Sequence, residues 1–134
     1  MKRGRKRRNS LPPFVPLLWG VLNSRAYKEL PPSAAKALPY FLGKVKRGYY
    51  DPERYSDTFA LPYSEGERLG FAFATFSKVI QDLVRVGFID PVDKGGLRGD
   101  CKSYNLFRLS RRWEEYGRPN FQALEWRCFI PKPR

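Results

Sequence analysis

The side chains best able to do chemistry in this chain are its cations, because the groups that usually carry out catalysis are missing or out of place. The 134 residues include no histidine, so neither a Cys–His nor a Ser–His–Asp set can be assembled. The two cysteines, Cys101 and Cys128, cannot supply the four Cys/His ligands of an ordinary zinc site. Two cysteines are also weak grounds for a disulfide framework, and both read as reduced and structural. Asp51, Glu53 and Asp57 share one segment but lack calcium-loop spacing, so they read as loop solvation. No paired acid/base signature is visible elsewhere. The chain is not expected to be an enzyme, and no metal or cofactor is expected.

The cations are abundant. Lys and Arg number 26 against 13 Asp and Glu, a net charge of +13. Such a surplus calls for a partner of dense negative charge, nucleic acid first and an anionic membrane surface second. Residues 1–10 carry Lys2, Arg3, Arg5, Lys6, Arg7 and Arg8 and no acid, which is six of the thirteen net charges. A run of this kind repels itself and buries nothing apolar, so residues 1–12 are expected to form a disordered basic tail that contacts phosphate. Two further sets lie in the second half. Thr75, Ser77, Lys78, Gln81 and Arg85 occupy one stretch, and Lys94, Arg98 and Lys102 the next.

The elements that must position these sets can be read from periodicity. Residues 11–22, LPPFVPLLWGVL, are the most apolar stretch. Their prolines interrupt any signal-peptide core, and no apolar run approaches the roughly 20 residues of a membrane span. A cytoplasmic location without membrane contact is expected. Phe14, Val15, Leu17, Leu18, Trp19 and Leu22 are expected to dock on the core. A short helix should follow, capped by Ser24, with Tyr27 and Leu30 inward. Ala34, Leu38, Phe41, Leu42 and Val45 make one helical stripe after Pro31 and Pro32, with Pro39 expected to kink the helix or restart it. Residues 47–57 read as a polar, aromatic loop in which Tyr49, Tyr50 and Tyr55 are the exposed set, and residues 58–61 as a short strand. Ser64 and Glu67 have capping-box spacing, and Gly70 can end that short helix. Residues 73–86 read as a helix with Phe76, Ile80 and Leu83 inward and Val79 and Val84 flanking. Ser77, Lys78, Gln81, Asp82 and Arg85 fall on its other side, and Gly87 ends it. Phe71, Phe73 and Phe76 around the turn are expected to pack into the core. Residues 88–92 and 103–109 read as a hairpin with a flexible basic tip, DKGGLRGDCK. A final short helix, 110–116, stops at Gly117. Phe121, Trp126 and Phe129 suggest that residues 122–134 are partly packed.

This order carries the functional expectation. A short helix, a glycine turn and an amphipathic helix make a helix-turn-helix, and a basic hairpin beside it makes a wing. A major groove about 12 Å wide admits one helix, whose outer side chains then reach base edges. Gln81 can pair with adenine and Lys78 or Arg85 with guanine, while the wing cations suit phosphate.

The runs Leu61-Pro-Tyr-Ser-Glu, Ala74-Thr-Phe-Ser-Lys-Val-Ile-Gln-Asp-Leu-Val-Arg-Val-Gly-Phe-Ile-Asp and Lys94-Gly-Gly resemble a winged helix-turn-helix domain. They are similar to small prokaryotic members found in regulators, mobile elements and plasmid replication initiators. Phe107-Arg-Leu-Ser-Arg-Arg-Trp-Glu-Glu-Tyr-Gly resembles the closing strand and helix of that group. The resemblance covers about residues 14–121. It implies an α+β, mainly α fold: a three-helix core, a small antiparallel sheet and a β-hairpin wing over 13–121. By position it places Thr75, Ser77, Lys78, Gln81 and Arg85 on the recognition helix and Lys94, Arg98 and Lys102 on the wing. Two departures stand out. Ala72 and Ala74 occupy places where a small polar residue often caps that helix. Asp82, on the presumed groove side, should face away or select cytosine.

The leading expectation is sequence-specific binding of double-stranded DNA, as a transcription regulator or a replication-initiation factor of a mobile element. An RNA-binding or ribosome-associated protein, and a protein–protein interaction module on the same scaffold, remain open. The segments 13–30 and 110–129 leave a homodimer open as well.

Overall fold

The computed structural model describes residues 12–94, 96–98, 101–103 and 105–129. Within it the fold is α+β and mainly helical, with a small antiparallel sheet. Two single-turn helices, α1 (Trp19–Leu22) and α2 (Arg25–Lys28), precede α3 (Pro32–Leu42). A 3-10 turn (Pro52–Tyr55) leads to β1 (Thr58–Ala60), then α4 (Tyr63–Arg68) and α5 (Phe73–Val86). Strands β2 (Ile89–Asp93), β3 (Gly96–Arg98), β4 (Cys101–Ser103) and β5 (Leu106–Leu109) follow, and 3-10 turns at Arg112–Glu115 and Trp126–Cys128 close the chain.

The stripe expected of α3 is buried at Ala34, Leu38 and Phe41, with Val45 beyond its end. Pro39 lies within the helix without ending it. Ser24 caps α2 by accepting from the Tyr27 N–H at 3.1 Å. Phe76 of α5 is the centre of the core. Its ring meets Phe41, Tyr63 and Phe71, each at a centroid distance of 6.0 Å. Gly66 of α4 permits this, since a Cβ there would stand 2.3 Å from the Phe76 ring. The Phe76 ring therefore packs directly on the α4 backbone, a closeness only glycine allows.

Gly70 ends α4 in the left-handed region, φ 96°. The Phe71 N–H donates to the Gly66 carbonyl at 2.8 Å and the Gly70 N–H to that of Glu67 at 3.0 Å, a Schellman closure. The other end departs from expectation. Pro62 is the N-cap and Ser64 is already inside the helix, without a side-chain cap. The helix starts two residues too early for the Ser64–Glu67 box.

The sheet has the order β1-β5-β2, antiparallel throughout, with Phe59 opposite Phe107 and Ile89 opposite Leu109. Period-2 alternation buries Phe107 and Leu109 and exposes Arg108 between them. The segment read as a flexible tip instead carries its own ladder: β3 pairs with β4, Gly96 opposite Ser103 and Arg98 opposite Cys101.

Three expectations about packing are corrected. Phe14, Val15, Leu18 and Trp19 are exposed, Trp19 at 76%, while Leu17 and Leu22 are half-buried. A single turn of helix can turn only one side inward, and Val21 and Leu22 take it. Cys128 is exposed and free, so it does not serve the core. Tyr50 is exposed as expected, but Tyr55 is half-buried and packs on the core. Beyond the sheet, Trp126 is buried against Phe107, with ring centroids 4.8 Å apart, and Phe129 stacks on Trp126.

Candidate nucleic-acid interface

Helix α5 buries Phe76, Val79, Ile80, Leu83, Val84 and Val86. At 100° per residue the line opposite this stripe holds Ala74, Lys78, Gln81 and Arg85. Lys78 is exposed; Gln81 and Arg85 are half-buried. Among the described residues nothing engages the Gln81 amide. Ser77 is half-buried on the flank toward α4. Thr75 is half-buried on the other flank, where it borders a shallow groove shared with Pro31 and Ser33 at the start of α3.

Asp82 does not lie on this outer line. It is 2% exposed and accepts from Lys78 Nζ at 2.9 Å and from an Arg85 Nη at 3.2 Å. A carboxylate at i accepting from i−4 and i+3 stays buried because both partners are cations on its own helix. Arg85 is bound further. Its other Nη donates to the Tyr116 hydroxyl at 3.3 Å, which donates to Glu29 at 2.9 Å, and Glu29 accepts from Arg25 Nε at 2.9 Å. Tyr116 is thus bonded to a residue 87 positions back in the sequence. Burial acts to lower the Arg85 pKa, but the hydrogen bond and charge of Asp82 outweigh it and leave it raised. Burial, then the hydrogen bond and charge of Glu29, raise Tyr116. The hydrogen bond from Arg25, then that from Tyr116, hold Glu29 below the ordinary carboxylate value.

Phe73, expected in the core, lies outside it. Phe71 and Phe76 are buried, but Phe73 is 67% exposed at the first position of α5 and stacks on Tyr63 at 4.2 Å. Its place before the apolar stripe begins was the available signal. Ala72 caps α5 without a side-chain hydrogen bond, so the first-turn N–H groups around Phe73 are left for solvent or a ligand.

The hairpin after α5 is held at its base. Gly87, φ 98°, closes α5, and a Cβ there would stand 2.6 Å from the backbone nitrogen of Trp113. Arg112 pins the same junction. It pairs with Asp90 at 2.6 Å and donates to the carbonyls of Val84, Ile89 and Gln122. Nothing local in the sequence marks this arginine, because its partners lie 22 to 28 residues back and ten ahead. Lys94, expected to reach phosphate, instead donates to the Arg127 carbonyl at 3.3 Å and lies 4.8 Å over the Trp126 ring. The backbones of Arg98 and Lys102 lie in β3 and β4; their side chains, and the tail residues Lys2, Arg3, Arg5, Lys6, Arg7 and Arg8, lie outside the described residues.

Among the described residues no cluster of Cys, Asp or Glu could hold a metal ion, and no helix is long and apolar enough to cross a membrane. Comparison with protein-family models, with curated proteins and with solved structures finds no match to this chain.

Proposed function

We propose that the chain is a winged helix-turn-helix protein that reads double-stranded DNA, acting as a transcription regulator or a replication-initiation factor. The observation that carries this reading is the outer face of α5. It follows a tight glycine-closed turn from α4, presents Lys78 and Gln81 on one line, and has a hairpin directly after it. The β1-β5-β2 order and the two-tier hairpin fit a wing. The charge of +13 supplies the phosphate attraction that dominates affinity. In this reading Phe73, at the exposed start of α5, meets a thymine methyl in the groove, and Gln81 reads a base edge. Lys78 contacts phosphate, and Arg85 acts mainly in holding α5 to the segment around Tyr116.

Exposed Phe73, backed by Tyr63, also favours a second reading, base stacking on a single strand. Fluorescence anisotropy with a short duplex, its single strand and a structured RNA, over a salt series, separates the two. Duplex preference that survives deletion of residues 1–10 supports a folded-domain reader. Preference for single strand or RNA, or loss of all binding with the tail, overturns it.

A further inference from the structure

The segment from Pro12 to Trp19 is anchored to the fold yet leaves two large rings uncovered. Val15 Cγ2 is 3.1 Å from where a Cβ on Gly43 would stand. Pro16 and Leu18 share the wall of a small cavity with Leu42 and Tyr55. The Leu18 carbonyl accepts from the Val21 and Leu22 N–H groups at 3.0 and 3.1 Å. Phe14 is nevertheless 68% exposed and Trp19 76%. The chain between them spans at most about 17 Å. Tyr40, itself 50% exposed, borders an open depression of about 490 Å³ together with Val15, Lys44, Lys46 and Arg68. Large exposed rings grouped in this way mark a surface for a partner. The charge around them says which. Residues 1–28 hold eight cations and no acid, Glu29 being the first carboxylate of the chain. Glu65 is the one carboxylate lining the depression, against three cations, and Lys44 holds it at 2.6 Å.

We infer that this segment and the adjoining end of α3 bind single-stranded DNA, with bases stacked on Trp19 and Phe14 and phosphates on the surrounding cations. Exposed rings set among cations are what an unpaired strand requires, since every base has a face to stack and every phosphate a charge to neutralise. A duplex offers these rings only base edges in its grooves. Deoxyribose is favoured over ribose. Between Pro12 and Trp19 the indole N–H is the one side-chain group able to form a hydrogen bond, so a 2′-hydroxyl covered here would lose water without gaining a partner. An anionic bilayer would reward aliphatic groups as much as rings. Here Leu17 is half-buried and Val15 and Leu18 are only 38% and 40% exposed, so the rings are what is presented. The surface shares no residue with the outer face of α5 and does not rest on the duplex reading.

Titration of the full chain with an oligothymidylate of about 15 nucleotides, within the usual site sizes, tests this by tryptophan fluorescence. Trp113 is half-buried and Trp126 buried, so Trp19 is the indole a base can reach. The expected result is saturable quenching, absent in Trp19→Ala. By anisotropy, Trp19→Ala and Phe14→Ala should each weaken single-strand binding about tenfold and leave duplex affinity unchanged. Helix α1 buries none of its residues, so Trp19→Ala should melt like the wild type. Loss of duplex affinity on Lys78→Ala is read separately, so failure of the duplex reading and failure of this one are distinguishable. Four results would overturn the assignment: no quenching, equal losses for duplex and single strand, equal affinity for oligouridylate, or single-strand affinity lost in Phe73→Ala and kept in Trp19→Ala. Quenching by phosphatidylserine vesicles without quenching by oligothymidylate would overturn it in favour of a membrane surface.

Discussion

Asp82 is buried and holds two cations that, in the proposed DNA reading, would meet phosphate. It neutralises Lys78 and Arg85, the two cations on the outer face of α5. Asp82→Ala should therefore move two observables in opposite directions. Chemical denaturation should report a loss of about 1–2 kcal/mol, because charge-assisted bonds to a buried acceptor disappear. Duplex affinity at low salt should rise, because both cations become available to phosphate. A parallel fall in both would show that Asp82 shapes the interface instead of masking it. Lys78→Ala makes the complementary case. It should weaken duplex binding irrespective of sequence and reduce the salt slope by about 0.9. Phe73→Ala should leave the melting temperature nearly unchanged, since the ring is mostly exposed, yet reduce affinity.

At the scale of elements, the contact between α4 and α5 depends on an absent side chain. Gly66→Ala would drive a methyl into the Phe76 ring and should cost about 1–3 kcal/mol by overpacking. Gly20→Ala is the control. Nothing lies within 4 Å of a Cβ there, so the change should be neutral or stabilise α1 by roughly 0.5–1 kcal/mol. Thermal melting of the pair distinguishes a packing effect from a general sensitivity to glycine replacement. The Glu29–Tyr116–Arg85 linkage joins elements in another way, and its pH dependence has a definite sign. Tyr116 is raised in the folded protein, so its contribution is complete below the unfolded tyrosine value and is lost as pH rises through the folded one. Glu29 is lowered, so its contribution is present above the unfolded carboxylate value and is lost as pH falls through the folded one. Urea midpoints should therefore be highest between roughly pH 5 and 9. Tyr116→Phe should flatten the alkaline limb that this hydroxyl supplies.

For the whole molecule, charge is distributed unevenly. Residues 1–10 hold six of the thirteen net positive charges. Deleting them should lower duplex affinity steeply at low salt and much less at high salt, with a shallower slope of affinity against salt. In the proposed DNA reading, preference among duplex sequences should persist, because a run of cations responds to phosphate density whereas a helix in the groove would read base edges. Loss of sequence preference along with the tail would place recognition outside α5.

Local chemistry is legible in the sequence itself. The α3 and α5 stripes, the Ser24 cap, the glycine stops at Gly70, Gly87 and Gly117, and the pairing of residues around 89 and 107 all follow from periodicity and short-range backbone rules. Those signals act over a few residues, and the sequence displays them directly. The absence of histidine and the surplus of cations likewise narrowed the chemistry from composition alone. Tertiary structure decided which polar and aromatic groups remained available. Asp82 was drawn inward by cations one turn away on either side, Lys94 was drawn onto Trp126, and Phe73 was left outside the core that took Phe71 and Phe76. It also created the Arg112 junction, whose partners come from segments far apart in the chain. Burial and charge balance at such places depend on distances that folding alone sets, and no local pattern in the sequence encodes them.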